Sequence, residues 1–391
     1  MTNQTPIIPS DLFTGKILGL VDREREVKQF MYALYTKEHM ILMGPPGTAK
    51  SQFAVNAFSA IAKAETFQIH LTKQTTEEYV FGPLNILELK KGNLVHNTKG
   101  SMLTADFAFL DEFFDASDVL LRSLLGILNE RVWLKGSQRI KAKLHTAVLT
   151  SNYQRENKVT EAVLDRIIFK CDIKAITARG KRLKVYRNAI KHPVFNSKQV
   201  LDLDKLKKFT DLVEDPNSVK FSKELLGTYD RFLGEFQKES KKYISQRTAN
   251  KALKVLKVSA LLDNRDEASY KDLEELRYVL CVLNRRMEEA IFDAVYEKHI
   301  GKAEEERVTL QDLKNVEEKV KKMPDNFDGL PDKEFIGKMR ELNEYVHLLE
   351  GIDSPTQRTS QKRDTILTEI RKLIADNRDK LFKKQQANPT P

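Results

Sequence analysis

Gly44-Pro45-Pro46-Gly47-Thr48-Ala49-Lys50-Ser51 is the segment of this 391-residue chain whose residue types most directly specify chemistry. An apolar run, His39 to Met43, precedes it, and a helical pattern (Phe53, Ala54, Ala57, Phe58, Ile61) follows. A strand, a Gly/Pro loop and a helix opening on Lys-Ser make a cradle for phosphates. Backbone N–H groups and the helix dipole face the anion, and Gly44 and Gly47 let the backbone approach it. Pro45 and Pro46 stiffen the loop. Lys50 would neutralise the outer phosphates and Ser51 would hold Mg2+. The strict pattern has glycine where Ala49 stands. That position opens the helix, ordinary negative φ is expected there, and alanine should fit without strain.

Three later segments extend the same chemistry. Phe107-Ala108-Phe109-Leu110 is an apolar strand ending in Asp111-Glu112. Asp111 would hold the Mg2+ water shell, and Glu112 would polarise an attacking water. Asn152, after Thr150-Ser151, would orient that water. Arg166, in Leu164-Asp165-Arg166, would reach a neighbouring subunit's outermost phosphate, a contribution of about 10³–10⁵ in rate in other nucleotide hydrolases. Arg247 opens a helical pattern (Ala252, Leu253, Leu256, Ala260) and would reach back over the nucleotide.

These residues need a scaffold. Apolar runs at 39–43, 67–72, 107–111, 145–151 and 167–173, with helical patterns between, predict a mostly parallel five-stranded sheet covered on both faces. Ile86-Leu87-Glu88-Leu89 and Asn93-Leu94-Val95-His96 flank Lys91-Gly92, which predicts an inserted β-hairpin. Beyond residue 178 the pattern is helical, with breaks at His192-Pro193 and Asp215-Pro216. Three further helices are expected at about 308–322, 332–350 and 361–383, with breaks at Met323-Pro324, Gly329-Leu330-Pro331 and Ser354-Pro355. The expected division is an α/β part over 1–190, an all-α lid over 191–300 and a helical bundle over 301–391 with a frayed tail at 384–391. Residues 1–15 read as a loose lead-in.

Hydrophobic residues make up 41% and charged residues 31%, the balance of a soluble globular chain. No stretch is apolar enough to span a membrane, and no apolar signal core opens the chain. Cys171 and Cys281 lie in apolar segments without metal-binding spacing, as expected of buried thiols in the cytoplasm. The net charge of +10 concentrates in residues 170–260, which fits either a solvated lysine-rich face or an acidic or nucleic-acid partner.

The order of these motifs resembles AAA+ ATPases of the helix-2-insert branch. Gly-Pro-Pro-Gly-Thr-Ala-Lys-Ser, with alanine before lysine, is similar to the MoxR family. Gly19-Leu20-Val21-Asp22-Arg23-Glu24, Thr75 to Leu84, Leu125 to Arg131 and Ile244 to Arg247 resemble its RavA-like subfamily. Val258-Ser259-Ala260 and Arg265-Asp266-Glu267 fit the same subfamily. The resemblance covers about residues 15–300. It implies an AAA+ P-loop core, a helical lid and a homo-oligomeric ring, usually a hexamer, with ATP and Mg2+ between subunits. It assigns Lys50, Ser51, Asp111 and Glu112 to the two Walker motifs, Asn152 to sensor 1, Arg166 to the finger and Arg247 to sensor 2. Leu20 and Val21 would lie near the adenine. Arg131 is a further residue that could act across the interface and is not counted among the site residues. The loop at 323–331 is too short for the β-rich insertion that RavA carries, so a partner bound through it is not carried over.

Three functions compete. The first is a chaperone-like remodeller of a protein complex, working beside a von Willebrand factor A (VWA) domain partner on an unidentified client. The second is a nucleic-acid-stimulated motor, prompted by the basic 170–260 segment. The third is a nucleotide-gated scaffold with negligible turnover, against which Asp111, Glu112 and Arg166 argue.

Overall fold

The computed structural model describes residues 12–135, 138–153, 158–191, 197–282, 285–324, 327, 330–352 and 357–387. Most of the lead-in, the tip of the tail and the breaks at 192–193 and 354–355 lie outside the described residues. The chain divides into two compact units, residues 1–295 and 296–391.

In the first unit, five strands form one sheet: β1 Met40–Met43, β2 Thr66–His70, β3 Phe107–Asp111, β4 Thr146–Ser151 and β5 Phe169–Asp172. Their order is β2-β3-β4-β1-β5, and all neighbours run parallel. Strands β1 and β4 are buried along their whole length; β1 is apolar throughout, and in β4 the hydroxyls of Thr146 and Thr150 donate to the Ala33 carbonyl and to Asp111. Helices α1 Glu24–Tyr35 and α2 Lys50–Ser59 cover one face through the packed rings of Phe30, Phe53, Phe58 and Phe107. Helices α3 Asp118–Glu130 and α4 Lys158–Arg166 cover the other, where Leu124, Ile127 and Val163 meet Ile41, Leu110 and Leu149. A further helix, α5 Arg179–Lys191, buries none of its residues.

Register places the functional ends side by side. Met43 pairs with Ser151, His70 with Asp111 and Leu110 with Leu149. Asp111 and Thr150 therefore end adjacent strands at one level, beside the loop that leaves β1. The order reverses direction at β1, and ligands of open α/β sheets bind at such carboxyl-end switch points.

The segment 84–98 departs from the hairpin expected there. Only one antiparallel bridge forms, Leu84 with His96, and Ile86–Lys90 is a short helix. Asn85 explains it: its side-chain carbonyl accepts from the amides of Leu87 and Glu88 at 3.0 and 3.3 Å, an N-cap on a run of good helix formers. An unanticipated antiparallel hairpin pairs Val132–Lys135 with Gln138–Lys141. Its signal was Gly136-Ser137 between two short runs that contain Val, Trp and Ile.

The helical part of this unit comprises α6 Leu203–Glu214, α7 Lys223–Ser240, α8 Gln246–Leu262 and α9 Arg285–Tyr296. Ser222 and Ser245 cap α7 and α8 through their hydroxyls. In its core Phe292 packs edge-on against Phe232 and Phe236, which stack on each other. It is fastened to α1, where Arg25 donates to the carbonyls of Arg277 and Cys281 at 3.0 and 2.7 Å.

The second unit holds α10 Lys302–Lys321, α11 Asp332–Glu350 and α12 Gln357–Ala387 around Leu313, Leu342, Leu349, Ile366 and Ile370.

Candidate functional site

The loop after β1 is shaped by two glycines for different reasons. A Cβ on Gly44 would stand 2.1 Å from the carbonyl oxygen of Ile173, so only glycine fits against β5. Gly47 has open space around it but a φ of +77°, which glycine adopts without strain. Ala49 corrects the expectation of ordinary backbone: its φ is 66° and ψ 27°, the left-handed region. An L-residue there costs roughly 1–2 kcal/mol, which is why glycine is the usual occupant.

Lys50 opens α2 and is buried. Its ammonium donates to the carbonyls of Gly44 and Pro45 at 2.8 and 3.0 Å and to Asn152 Oδ1 at 2.8 Å. Burial lowers its pKa, against the pull of Glu112 and Asp111. The Ser51 hydroxyl donates to both Asp111 oxygens, at 3.3 and 3.2 Å. Asp111 also accepts from the Thr150 hydroxyl, and His70 Nδ1 lies 3.6 Å from it. The Asn152 amide donates to Glu112 Oε1. The other Glu112 oxygen is buried and has no hydrogen-bond partner among the described residues. Glu112 itself has φ 51°, a second strained backbone within the site.

The structure thus brings Lys50, Ser51, Asp111, Glu112 and Asn152 together from two strand ends and one helix start. Among the described residues no group of three or more His, Cys, Asp or Glu could hold a metal alone. Ser51 and Asp111 supply two oxygens on one side of the loop, a donor set that suits Mg2+ carried in on phosphate. The spare buried oxygen of Glu112 suits a group that accepts a proton.

Beside the loop lies a cleft of about 940 Å3. Leu20 and Val21 line one wall with Gly47, Thr48 and Ala49. Arg23 ties this lead-in to the loop, donating to the carbonyls of Thr48 and Lys174 at 3.3 and 3.0 Å. The facing wall comes from α5, through Val185, Tyr186 and Ala189. Sequence reading missed these three. Their only signal is an apolar spacing within a helix dominated by lysine and arginine.

Arg166 and Arg247 are not among the residues that line the cleft. Arg247 does not reach back to the loop; its guanidinium is bonded to Asp165, beside Arg166 at the end of α4. Arg131 is committed inside the unit. It is half-buried, donates to the carbonyls of Lys37, Leu128 and His145 at 2.7, 3.0 and 3.0 Å, and lies against His39.

Comparison with known proteins agrees with this geometry. Residues 14–207 match the family described as the MoxR domain in the MoxR-vWA-beta-propeller ternary systems, and residues 224–294 match the AAA lid domain. The chain belongs to the MoxR family of AAA+ ATPases. Two uncharacterised proteins of Methanocaldococcus jannaschii are 32% and 30% identical over 66% of this chain, spanning 66% and 67% of their own lengths. A Mycobacterium tuberculosis protein named chaperone MoxR1 is 23% identical over 49% of this chain and 51% of its own. A crystal structure presented as a candidate ATPase from Cytophaga hutchinsonii superposes with a TM-score of 0.56 at 20% identity, over 71% of this chain and 92% of that one, a likeness of fold. In this MoxR-family chain the family match begins at Thr14, so it takes in the Leu20–Val21 wall as well as the loop.

Within the family chain, the basic surplus of 170–260 is partly spent inside. Lys251 and Lys254 pair with Glu38, and Lys257 donates to the carbonyls of Val213 and Asp215. Among the described residues no helix is long and apolar enough to cross a membrane.

Proposed function

We propose that the protein hydrolyses ATP with Mg2+ and uses the cycle, as a ring of identical subunits, to remodel a protein complex in the cytoplasm. The observation that carries this is the linked set Lys50–Asn152–Glu112 beside Ser51–Asp111. Bound Mg2+ would withdraw charge from the phosphates. Lys50 would exchange its loop carbonyls for phosphate oxygens, with Asn152 keeping its amide on Glu112. Glu112 would take a proton from water through the oxygen now unpartnered. The base would lie between the Leu20–Val21 wall and α5, and Gly44 to Ser51 would wrap the phosphates.

Arg166 and Arg247 stand together at the end of α4, off the cleft. By the resemblance, Arg166 would serve the nucleotide of a neighbouring copy in a ring of six subunits. The family's description supports a VWA-domain partner. The stretches around Gly19–Glu24 and Ile244–Arg247 support a RavA-like placement. The client is a protein complex of unknown identity.

Glu112→Gln should bind a fluorescent ATP analogue as the parent does and lose about 10²-fold or more in turnover. Lys50→Ala should lose the binding itself. Turnover surviving intact in Glu112→Gln would remove Glu112 from this role.

A further inference from the structure

Helix α8 meets the end of α4 with its first turns. Arg247 and Lys251 stand one turn apart on it and share a face. Arg247 donates to the Asp165 carboxylate. Lys251 Nζ donates to the backbone carbonyl of Arg166 at 3.1 Å and to Glu38 at 2.6 Å. The side chains of Lys251 and Glu38 are only 16% and 7% exposed. This is a mostly buried ion pair, and Lys254 stands 3.4 Å from the same Glu38 carboxylate. Glu38 lies two residues before β1, the strand that ends in the phosphate loop.

The Arg166 side chain is held differently. Its Nη1 donates to the Ala162 carbonyl at 2.7 Å, within its own helix. Its Nε is buried with no partner among the described residues. An orphaned buried donor is unfavourable, so this conformation is readily exchanged for one with a full set of acceptors. Residues 165 and 166 are therefore gripped by two cations of the lid helix, while the Arg166 guanidinium bonds a carbonyl of its own helix.

We propose that Lys251, seconded by the Arg247–Asp165 pair, is a positioning residue for Arg166. Helix α8 then fixes the point from which the finger reaches the next subunit. Glu38 ties the same lysine to the foot of the strand that carries the subunit's own phosphate loop. This rests on the reading of Arg166 as a residue acting across a subunit boundary, and the test separates the two.

The full-length protein is assembled with ATP, and Lys251→Met, Lys251→Arg, Asp165→Asn and Arg166→Ala are compared. Lys251→Met should bind a fluorescent ATP analogue within about twofold of the parent and keep its KM. Its kcat should fall by between about 10- and 100-fold, the scale of a catalytic group displaced by an ångström. Lys251→Arg should recover most of that loss. Asp165→Asn, which leaves the buried Lys251–Glu38 pair in place, should lower kcat in the same pattern and guards against a Lys251→Met protein that does not fold. The deciding measurement mixes subunits. Lys251→Met has a sound site and a misplaced finger, whereas Glu112→Gln has a sound finger and no chemistry. Their mixture should hydrolyse ATP faster than the two alone would sum to, an effect that general destabilisation cannot produce. No gain in that mixture, while Arg166→Ala mixed with Glu112→Gln does gain, would overturn the positioning role and leave the finger intact. No gain with Arg166→Ala either would overturn the finger reading, and this proposal with it.

Discussion

Two residues of the site hold backbone that their types disfavour, Ala49 at φ 66° and Glu112 at φ 51°. Ala49 has no side-chain function to offset this, so Ala49→Gly should raise stability by roughly 1 kcal/mol, read from the urea midpoint. A lower midpoint would mean that the entropy glycine adds to the unfolded chain outweighs the relieved strain. The strain was not legible beforehand because sequence places Ala49 at a helix start without showing its φ. Two histidines away from the site set a pH limit. Burial lowers His39 well below the ordinary range, with Arg131 adding to the effect. His145 is held down to about 3, again chiefly by burial. Both are neutral in the fold, while the unfolded chain takes up protons below its ordinary value near 6.5. Stability should therefore be complete above pH 6.5 and fall as pH drops below it, by up to about 1.4 kcal/mol per pH unit for each. Urea unfolding at pH 7.5 and 5.5 checks this before most carboxylates titrate; equal midpoints would contradict it.

At the scale of elements, the sheet was legible because parallel strands buried on both faces leave unbroken apolar runs. The strand, loop and helix of residues 40–59 were legible because the Gly/Pro run falls between an apolar run and a helical pattern. The insert at 86–90 was not, because Leu-Glu-Leu-Lys suits a strand or a helix, and the deciding Asn85 cap is a local contact. The bond of Arg247 to Asp165 was not legible, because spacing cannot show which way a helix faces. Arg131 shows how one side chain joins elements. It ends α3 at φ 57° and bonds carbonyls in the segments entering β1 and β4 as well as its own helix. Arg131→Met should cost about 3 kcal/mol or more, because several buried carbonyls lose a charged donor at once. Nucleotide affinity measured well below the unfolding midpoint should stay close to the parent's. A stable Arg131→Met protein with impaired turnover would instead return Arg131 to the subunit boundary.

At the scale of the whole molecule, the two compact units each have a core of their own, and the candidate site residues all lie in the first. Two cores in one chain make a single cooperative transition an assumption to be tested. Leu342 is fully buried between α11 and its neighbours in the second unit. Leu342→Ala removes packing and leaves a cavity, at a cost of roughly 2–5 kcal/mol. For a unit of this size that should lower its transition by about 10 °C or more in a calorimetric scan. If the proposed site holds a nucleotide analogue, that should raise the first unit's transition and leave the second where it was. The two perturbations therefore act on different peaks. If Leu342→Ala lowers both transitions together, or the analogue lifts both, the units unfold as one, and a signal from the nucleotide could reach the C-terminal helices through stability alone.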